Sequence, residues 1–349
     1  MYENANSDKQ WSLPSMKELR PMLTPYLRSQ TWGSIWQLTN TLIPYLGLWY
    51  LMWRSLSVSY ALTLAISVLA AAFLLRVFIF FHDCGHNSFF PSTRANKAVG
   101  FLMGLLVFTP SEHWWHSHAI HHATSSNLDR RGIGDVETWT VKEYVNAPWW
   151  RRLMYRLLRN PFVFLGLGPF FIFMIANRFP LPRFGRKELL SVIWTNLALV
   201  AIAVGMSFLI GFKAYVMIQL PVMMLAGFVG IWMFYVQHQF EDMYWANNEE
   251  WDYISSALQG ASYYRLPRLL QWFTGNIGFH HIHHLNPRIP NYQLPRCYEA
   301  NPVLQTCVKT IPFREAFPCL FLNLWDEEQE KMVSFSSLKD RAVEKIQSG

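Results

Sequence analysis

The chain has 349 residues, of which 52% are hydrophobic, 16% aromatic and only 15% charged. An ordinary soluble domain carries about a quarter charged residues, so this composition argues against a purely water-dissolved protein and makes lipid part of its solvent. The formal charge of +7 reads as attraction to anionic headgroups and a positive-inside bias, not as nucleic-acid binding.

In chain order, the first 33 residues mix Asp8, Lys9, Lys17, Glu18, Arg20 and Arg28 without an apolar core, so no secretory leader is expected. Four stretches follow that are long and apolar enough to cross a bilayer, which takes about 20 helical residues. They are residues 34–53, 59–81, 189–210 and 214–236. The first carries Gln37, Asn40 and Pro44. The second carries one charge, Arg76, expected to snorkel toward the interface. Residues 98–110 and 161–176 are apolar but short, and read as half-inserted or interfacial helices.

Lys and Arg number 4 before the first span, 13 in residues 82–188 and 10 in residues 237–349, against one each in the turns at Arg54 and Lys213. This asymmetry predicts that residues 1–33, 82–188 and 237–349 are cytosolic and that the spans pair as two hairpins. The expected fold is a single domain over residues 1–349: an all-α integral membrane protein with four transmembrane helices in two hairpins and a cytosolic helical cap. Cys84, Cys297, Cys307 and Cys319 form no CxxC pair and are expected to be free thiols in a reducing compartment.

The 12 histidines carry the strongest signal. They fall as His82 and His86; His113, His116, His118, His121 and His122; His238; and His280, His281, His283 and His284. None lies inside a proposed span, and the topology puts all of them on one side of the membrane. His82 and His86 are spaced i, i+4, and His118/His121/His122 and His280/His283/His284 are each spaced i, i+3, i+4, so each set shares a helix face. With His238 these make nine candidate metal ligands. Structural zinc takes about four, whereas two five-coordinate ions would use nine or ten. Neutral imidazole suits iron, copper, nickel and zinc alike. His113, His116 and His281 exceed the pattern and are read as outer or surface residues.

The boxes HDCGH, HxxHH and HxxHH, with spans between the first two and the third, resemble those of the membrane fatty acid desaturases. The segments FFHDCGHNSFF, SHAIHHATSSNLDRRGIGD, FYVQHQFED and GNIGFHHIHHLNPRIPNY carry the resemblance. It is nearest to bacterial acyl-lipid desaturases of the phospholipid delta-5 type found in bacilli. The resemblance implies two non-haem iron ions held by His82, His86, His118, His121, His122, His238, His280, His283 and His284, with O2 as co-substrate. It implies a place in the bacterial cytoplasmic membrane with the site on the cytosolic face, acyl chains of membrane phospholipids as substrate, and electrons from a ferredoxin- or flavodoxin-type donor. No fused cytochrome b5 motif is present, so the donor is expected to be a separate protein. One departure concerns Phe234: the acyl-CoA branch has an Asn there that serves one iron through water, which leaves a tenth ligand open.

An unactivated methylene has no useful acidity, so its oxidation must belong to a metal–oxygen species, with protein supplying ligands and position. Asp83, Asp129, Asp135 and Asn276 are candidates for bonds to ligand imidazoles. The nearest alternatives are a hydroxylase or epoxygenase on the same scaffold, or delta-12/omega-6 regiochemistry. A metal transporter or haem carrier would place its polar ligands within the spans, and a zinc protease would want HExxH; neither pattern occurs here.

Overall fold

The computed structural model describes residues 13–338. Asp8 and Lys9 of the N-terminal segment, and Lys339, Arg341 and Lys345 of the C-terminal charge count, lie outside the described residues. Helix α1 (Met16–Leu23) starts at a Ser15–Glu18 capping box. Helices α2 (Thr31–Ser55) and α3 (Tyr60–Gly85) follow, joined by a short connection. Next come α4 (Thr93–Leu106) and α5 (Ser111–Thr124), then strand β1 (Trp139–Thr140), α6 (Val141–Asn146) and α7 (Trp149–Leu158). A short α8 (Gly168–Phe170) lies between π-helical turns at Val163–Leu167 and Phe171–Ile175; Pro169, lacking an N–H, prevents a continuous hydrogen-bond ladder there.

Helices α9 (Arg186–Ile210) and α10 (Phe212–His238) come next, joined at Gly211. The remaining chain folds as α11 (Tyr253–Gln259), β2 (Tyr263–Arg265), α12 (Arg268–Phe273), α13 (His280–Leu285), α14 (Leu294–Ala300), α15 (Val303–Thr306) and strands β3 (Thr310–Pro312), β4 (Leu324–Asp326) and β5 (Lys331–Val333). The strands order as β1-β4-β5 and β2-β3, with β1 parallel to β4, β2 parallel to β3, and β4 antiparallel to β5. The polar region is therefore not purely helical: these short ladders clamp residues 139–140 and 263–265 to the C-terminal segment.

Among the described residues, three helices are long and apolar enough to cross a membrane: α3, α9 and α10. A fourth span of that kind would be the pair Trp149–Leu158 plus Val163–Arg178, which is bent by 61°. The expected first span, residues 34–53, is one continuous helix, but α2 is more polar than those three. The reason lies in α3. Arg76 does not snorkel; it is 4% exposed. Its Nε donates to Thr41 Oγ1 at 3.1 Å, one Nη donates to Gln37 Oε1 at 3.2 Å and the other to the Trp272 carbonyl. The polar side chains of α2 thus answer the one arginine of α3, where a buried unpaired cation would be costly.

The outer surface fits lipid. Helix α9 buries only 17% of its apolar window, leaving Trp194, Val200, Phe208 and Leu209 exposed. On the inside, α3 and α10 pack with α2 and α4 around Phe73, Leu74, Val77, Ile218 and Val222. Helix α3, at 26 residues, is about 39 Å long, against a hydrocarbon core of about 30 Å. It outruns the bilayer, so His82 lies inside the same helix and not after its end.

Gln37→Leu removes one acceptor from the buried guanidinium. The expected cost is about 1.5–3 kcal/mol, read as a lowered thermal unfolding midpoint in detergent. An unchanged midpoint would mean that α2 does not carry the Arg76 charge.

Candidate metal centre

The nine candidate ligands come together in two adjoining groups. His82, His86, His118, His122 and His283 form one, and His121, His238, His280 and His284 the other, with the ligand atoms of each group within 4.8 Å of one another. Eight of the nine are buried, and His86 is half-buried. The boxes do not map one to a group. In α5, His118 and His122 face the first group while His121, three residues on from His118, faces the second. In α13 the pattern is reversed: His280 and His284 face the second group and His283 the first.

The ring nitrogens oppose one another. Nε2 of His122 lies 3.1 Å from Nε2 of His118 and 3.0 Å from Nε2 of His283. Nε2 of His238 lies 2.9 Å from that of His280, and Nε2 of His121 lies 3.3 Å from that of His284. The tautomers of three rings follow from their outer partners. His82 Nδ1 donates to Asp83 Oδ1 at 3.1 Å, His121 Nδ1 to Asp135 Oδ1, and His238 Nδ1 to the Gly260 carbonyl at 3.2 Å. A carboxylate or carbonyl can only accept, so those protons sit on Nδ1 and the Nε2 lone pairs turn inward. Lone pairs at such separations repel unless a cation lies among them. His86 Nε2, buried without a hydrogen-bond partner, is likewise free to ligate. The donor set fits divalent metal on imidazole.

Burial, reinforced by the neighbouring imidazoles, pushes the pKa values of His86, His118, His122, His280, His283 and His284 well below the usual imidazole range. These rings are neutral at pH 7, the state that a metal requires.

The outer contacts explain local sequence. Asp83 Oδ2 accepts from both the backbone N and Nδ2 of Asn291, each at 2.9 Å, which fixes the carboxylate that holds His82. Gly85 allows Trp115 to pack against the first box, since a Cβ there would lie 2.3 Å from its ring. Gly134 has φ +75°, and a Cβ would sit 3.0 Å from the Ser117 carbonyl; it brings Asp135 onto α5. Asp129 and Asn276, also expected near the ligands, are not bonded to them. Asp129 Oδ2 accepts from Asn248 N at 2.7 Å, and Asn276 Nδ2 donates to the Asn291 carbonyl at 3.1 Å. Gly260, Asn291 and the Trp114 indole stacked on His118 at 4.5 Å escaped sequence reasoning. Asn291 lies within the NPRIPNY run, but spacing alone does not say that it reaches Asp83.

The three surplus histidines do other work. His113 Nε2 accepts from Leu181 N at 3.1 Å, His116 pairs with Glu188 at 2.8 Å, and His281 Nε2 donates to the Leu304 carbonyl at 3.1 Å. Phe234, at the open tenth position, places its ring 5.2 Å from His121 and 5.1 Å from His238.

A cavity of about 490 Å³ adjoins the centre. His82, His118 and His280 are among its lining residues. Leu74 of α3, Met223 and Gly227 of α10, and Phe173 give it an apolar part, and Asp135, Glu137, Tyr155 and Arg159 a polar part. Along α10, Met223 lies about 22 Å before His238.

Histidine groups able to hold metal, beside a largely apolar cavity and among helices apolar enough to cross a membrane, suit an enzyme that acts on an apolar molecule. The comparisons agree. Residues 57–314 match the family model described as fatty acid desaturase. A fatty acid desaturase of Bacillus subtilis is 47% identical over 323 residues, covering 93% of this chain and 92% of its own. An sn-1 oleoyl-lipid 12-desaturase of Synechocystis is 26% identical, over 76% of this chain and 74% of its own. A chloroplastic sn-2 acyl-lipid omega-3 desaturase (ferredoxin) of Helianthus annuus is 29% identical, over 65% and 53%. The chain belongs to the fatty acid desaturase family.

Alanine at any of the nine grouped histidines should lower the metal bound per chain, measured by elemental analysis. His116→Ala should be nearly silent, and His113→Ala and His281→Ala should cost stability but not metal. Equal metal loss in those three would overturn the division. Metal-free protein should lose stability as pH falls below about 6.5: the buried rings bind fewer protons folded than unfolded, so acid favours unfolding. A thermal midpoint that is flat from pH 7 to pH 5 (about the unfolded imidazole range) would contradict this.

Proposed function

We propose that the chain is an O2-dependent desaturase that introduces a cis double bond into saturated acyl chains esterified in membrane phospholipid, with delta-5 regiochemistry. Its nine grouped histidines hold two iron ions, and a separate ferredoxin- or flavodoxin-type protein supplies electrons. The observation that carries this reading is the cavity, lined by His82, His118 and His280 together with an apolar set from α3 and α10 and a polar set of Asp135, Glu137, Tyr155 and Arg159. The acyl-lipid and ferredoxin terms in the names of the relatives agree with it.

Bound iron would supply the activation of O2 and the removal of hydrogen from two neighbouring methylenes, which no side-chain acid or base achieves. Two hydrogens with their electrons come from the C–H bonds, two electrons from the donor and two protons from solvent, and O2 leaves as two waters. The residues of the chain provide position and dryness. Leu75, Phe78, Ile79 and Ile231 line the cavity beside the histidines and hold a straight chain against them; such orientation is a large part of catalysis. Trp114 and Phe234, at the same level, keep water away. Asp83 and Asp135 hold the His82 and His121 rings in their ligating tautomer.

Placement supports counting from the carboxyl end. The polar end of the cavity receives the ester, and the apolar end runs into the spans and receives the methyl terminus. The site and both termini lie on the cytosolic side of a bacterial cytoplasmic membrane, in line with the Lys and Arg count.

Expression in a host that makes only saturated lipids should yield double bonds at a fixed distance from the ester, located by mass spectrometry. Bonds at a fixed distance from the methyl end across several chain lengths would refute carboxyl-end counting, and hydroxylated or epoxidised chains would move the reaction to the alternative chemistry. Cysteine labelling should find Arg130–Lys187 inside and only the turns near Arg54 and Lys213 outside.

A further inference from the structure

Arg159 is a buried cation in want of an anion. It is 4% exposed and lines the polar end of the cavity. Its contacts are all neutral. One Nη donates to Tyr235 Oη at 3.0 Å, Gln239 Oε1 at 2.8 Å and the Leu322 carbonyl at 2.8 Å; the other donates to the Glu137 carbonyl at 3.2 Å. Among the described residues no carboxylate forms an ion pair with it, and its Nε is buried with no partner at all. Two acids line the same cavity: Asp135 gives Oδ1 to His121 and keeps Oδ2 buried without a hydrogen-bond partner, and the exposed Glu137 carboxylate accepts from the Trp139 indole at 2.8 Å. Burying an uncompensated charge is expensive, and a binding site is one of the few settings in which a fold retains one.

Its depth suits a lipid headgroup. Arg159 caps the C-terminus of α7. On that helix Trp149, Trp150, Leu153, Met154, Leu157 and Leu158 form an exposed apolar stripe, with Arg151, Arg152 and Arg156 on the opposite face. Such a helix lies in the membrane interface with its apolar side in the acyl boundary. The residue that ends it therefore stands at the level of glycerol and phosphate, facing the cavity.

We infer that Arg159 binds an oxyanion at the carboxyl end of the acyl substrate, the phosphate of a phospholipid, and so fixes where the chain begins relative to the histidines. A planar guanidinium with an unused Nε–H suits phosphate recognition. A free fatty acid carboxylate presents the same chemistry. The inference rests on the lipid-desaturase reading for the identity of its ligand, but not for the existence of the site.

The full chain, purified in detergent, would be offered dipalmitoyl phosphatidylglycerol, a galactolipid with the same chains and no phosphate, and palmitate. Retained lipid is counted by native mass spectrometry, which needs neither iron nor an electron donor. Arg159→Gln should weaken phosphatidylglycerol binding about tenfold or more and leave the galactolipid nearly unchanged. A loss confined to palmitate would support the oxyanion site and assign it to free acid. Equal losses for all three lipids, or none, would overturn the proposal and leave Arg159 a structural clamp. If Arg159→Gln does not fold, Glu137→Gln decides: removing the exposed negative charge at the same mouth should tighten phosphatidylglycerol binding, and no change would overturn the site. Arg159-dependent binding in a chain that forms no double bond would sink the desaturation reading and leave this inference standing.

Discussion

Nine imidazoles driven into one dry space set the terms for the rest of this molecule. Burial makes the charged form of His86, His118, His122, His280, His283 and His284 costly, so those rings are neutral, and the nitrogens of each group stand within 4.8 Å of one another. Neutral rings whose lone pairs face inward repel and cannot satisfy one another by hydrogen bonding, because each shared proton serves only one pair. Metal relieves that conflict, and without it the arrangement is held by everything around it. The surrounding contacts are accordingly rigid: Asp83 fixed by two bonds from Asn291, Asp135 delivered by a glycine turn, and the Gly260 carbonyl on His238.

The same demand accounts for how the helices are used. Helices α3 and α10 begin as membrane spans and end as ligand carriers, so two rigid rods set the depth of the centre. Helices α5 and α13 add their HxxHH runs in opposite senses. In each, the i and i+4 rings go to one group and the i+3 ring to the other, which stitches the two groups together through both helices. Short parallel ladders and the buried Tyr155–Arg159 cluster then tie the C-terminal segment over the top.

Because the spans are also the cavity walls, chemistry and solvent are sorted along one axis. The end of the cavity between α3 and α10 is as apolar as the lipid outside, while the other end collects Glu137, Tyr155 and Arg159. The π-turned segment around Pro169 belongs to this wall: Phe173 and Ile172 line the cavity, and Gly227 lets the segment close on α10, since a Cβ would meet Pro169 at 2.8 Å.

Hydrophobic runs, histidine spacing and charge asymmetry are local or additive properties, and they were legible in the chain. They sufficed for the helices at residues 59–81, 189–210 and 214–236, for the nine grouped histidines and for setting His113, His116 and His281 apart. Asp83 was foreseeable as an outer partner because it adjoins His82, and Asp135 was a candidate whose choice over the nearer Asp129 only the fold makes. What needed tertiary structure were relations between distant residues. Arg76 looked like a snorkelling end-residue until Gln37 and Thr41 of α2 proved to face it, which also explains why α2 is more polar than the other long helices. Asp129 and Asn276 sit in the right segments, but their side chains turn to Asn248 and Asn291. The division of each HxxHH run between two groups depends on which way α5 and α13 face each other, and periodicity within one helix cannot state it. The unpaired charge of Arg159 is invisible in a list of thirty basic residues, because forming no ion pair among the described residues is a property of the folded surroundings alone.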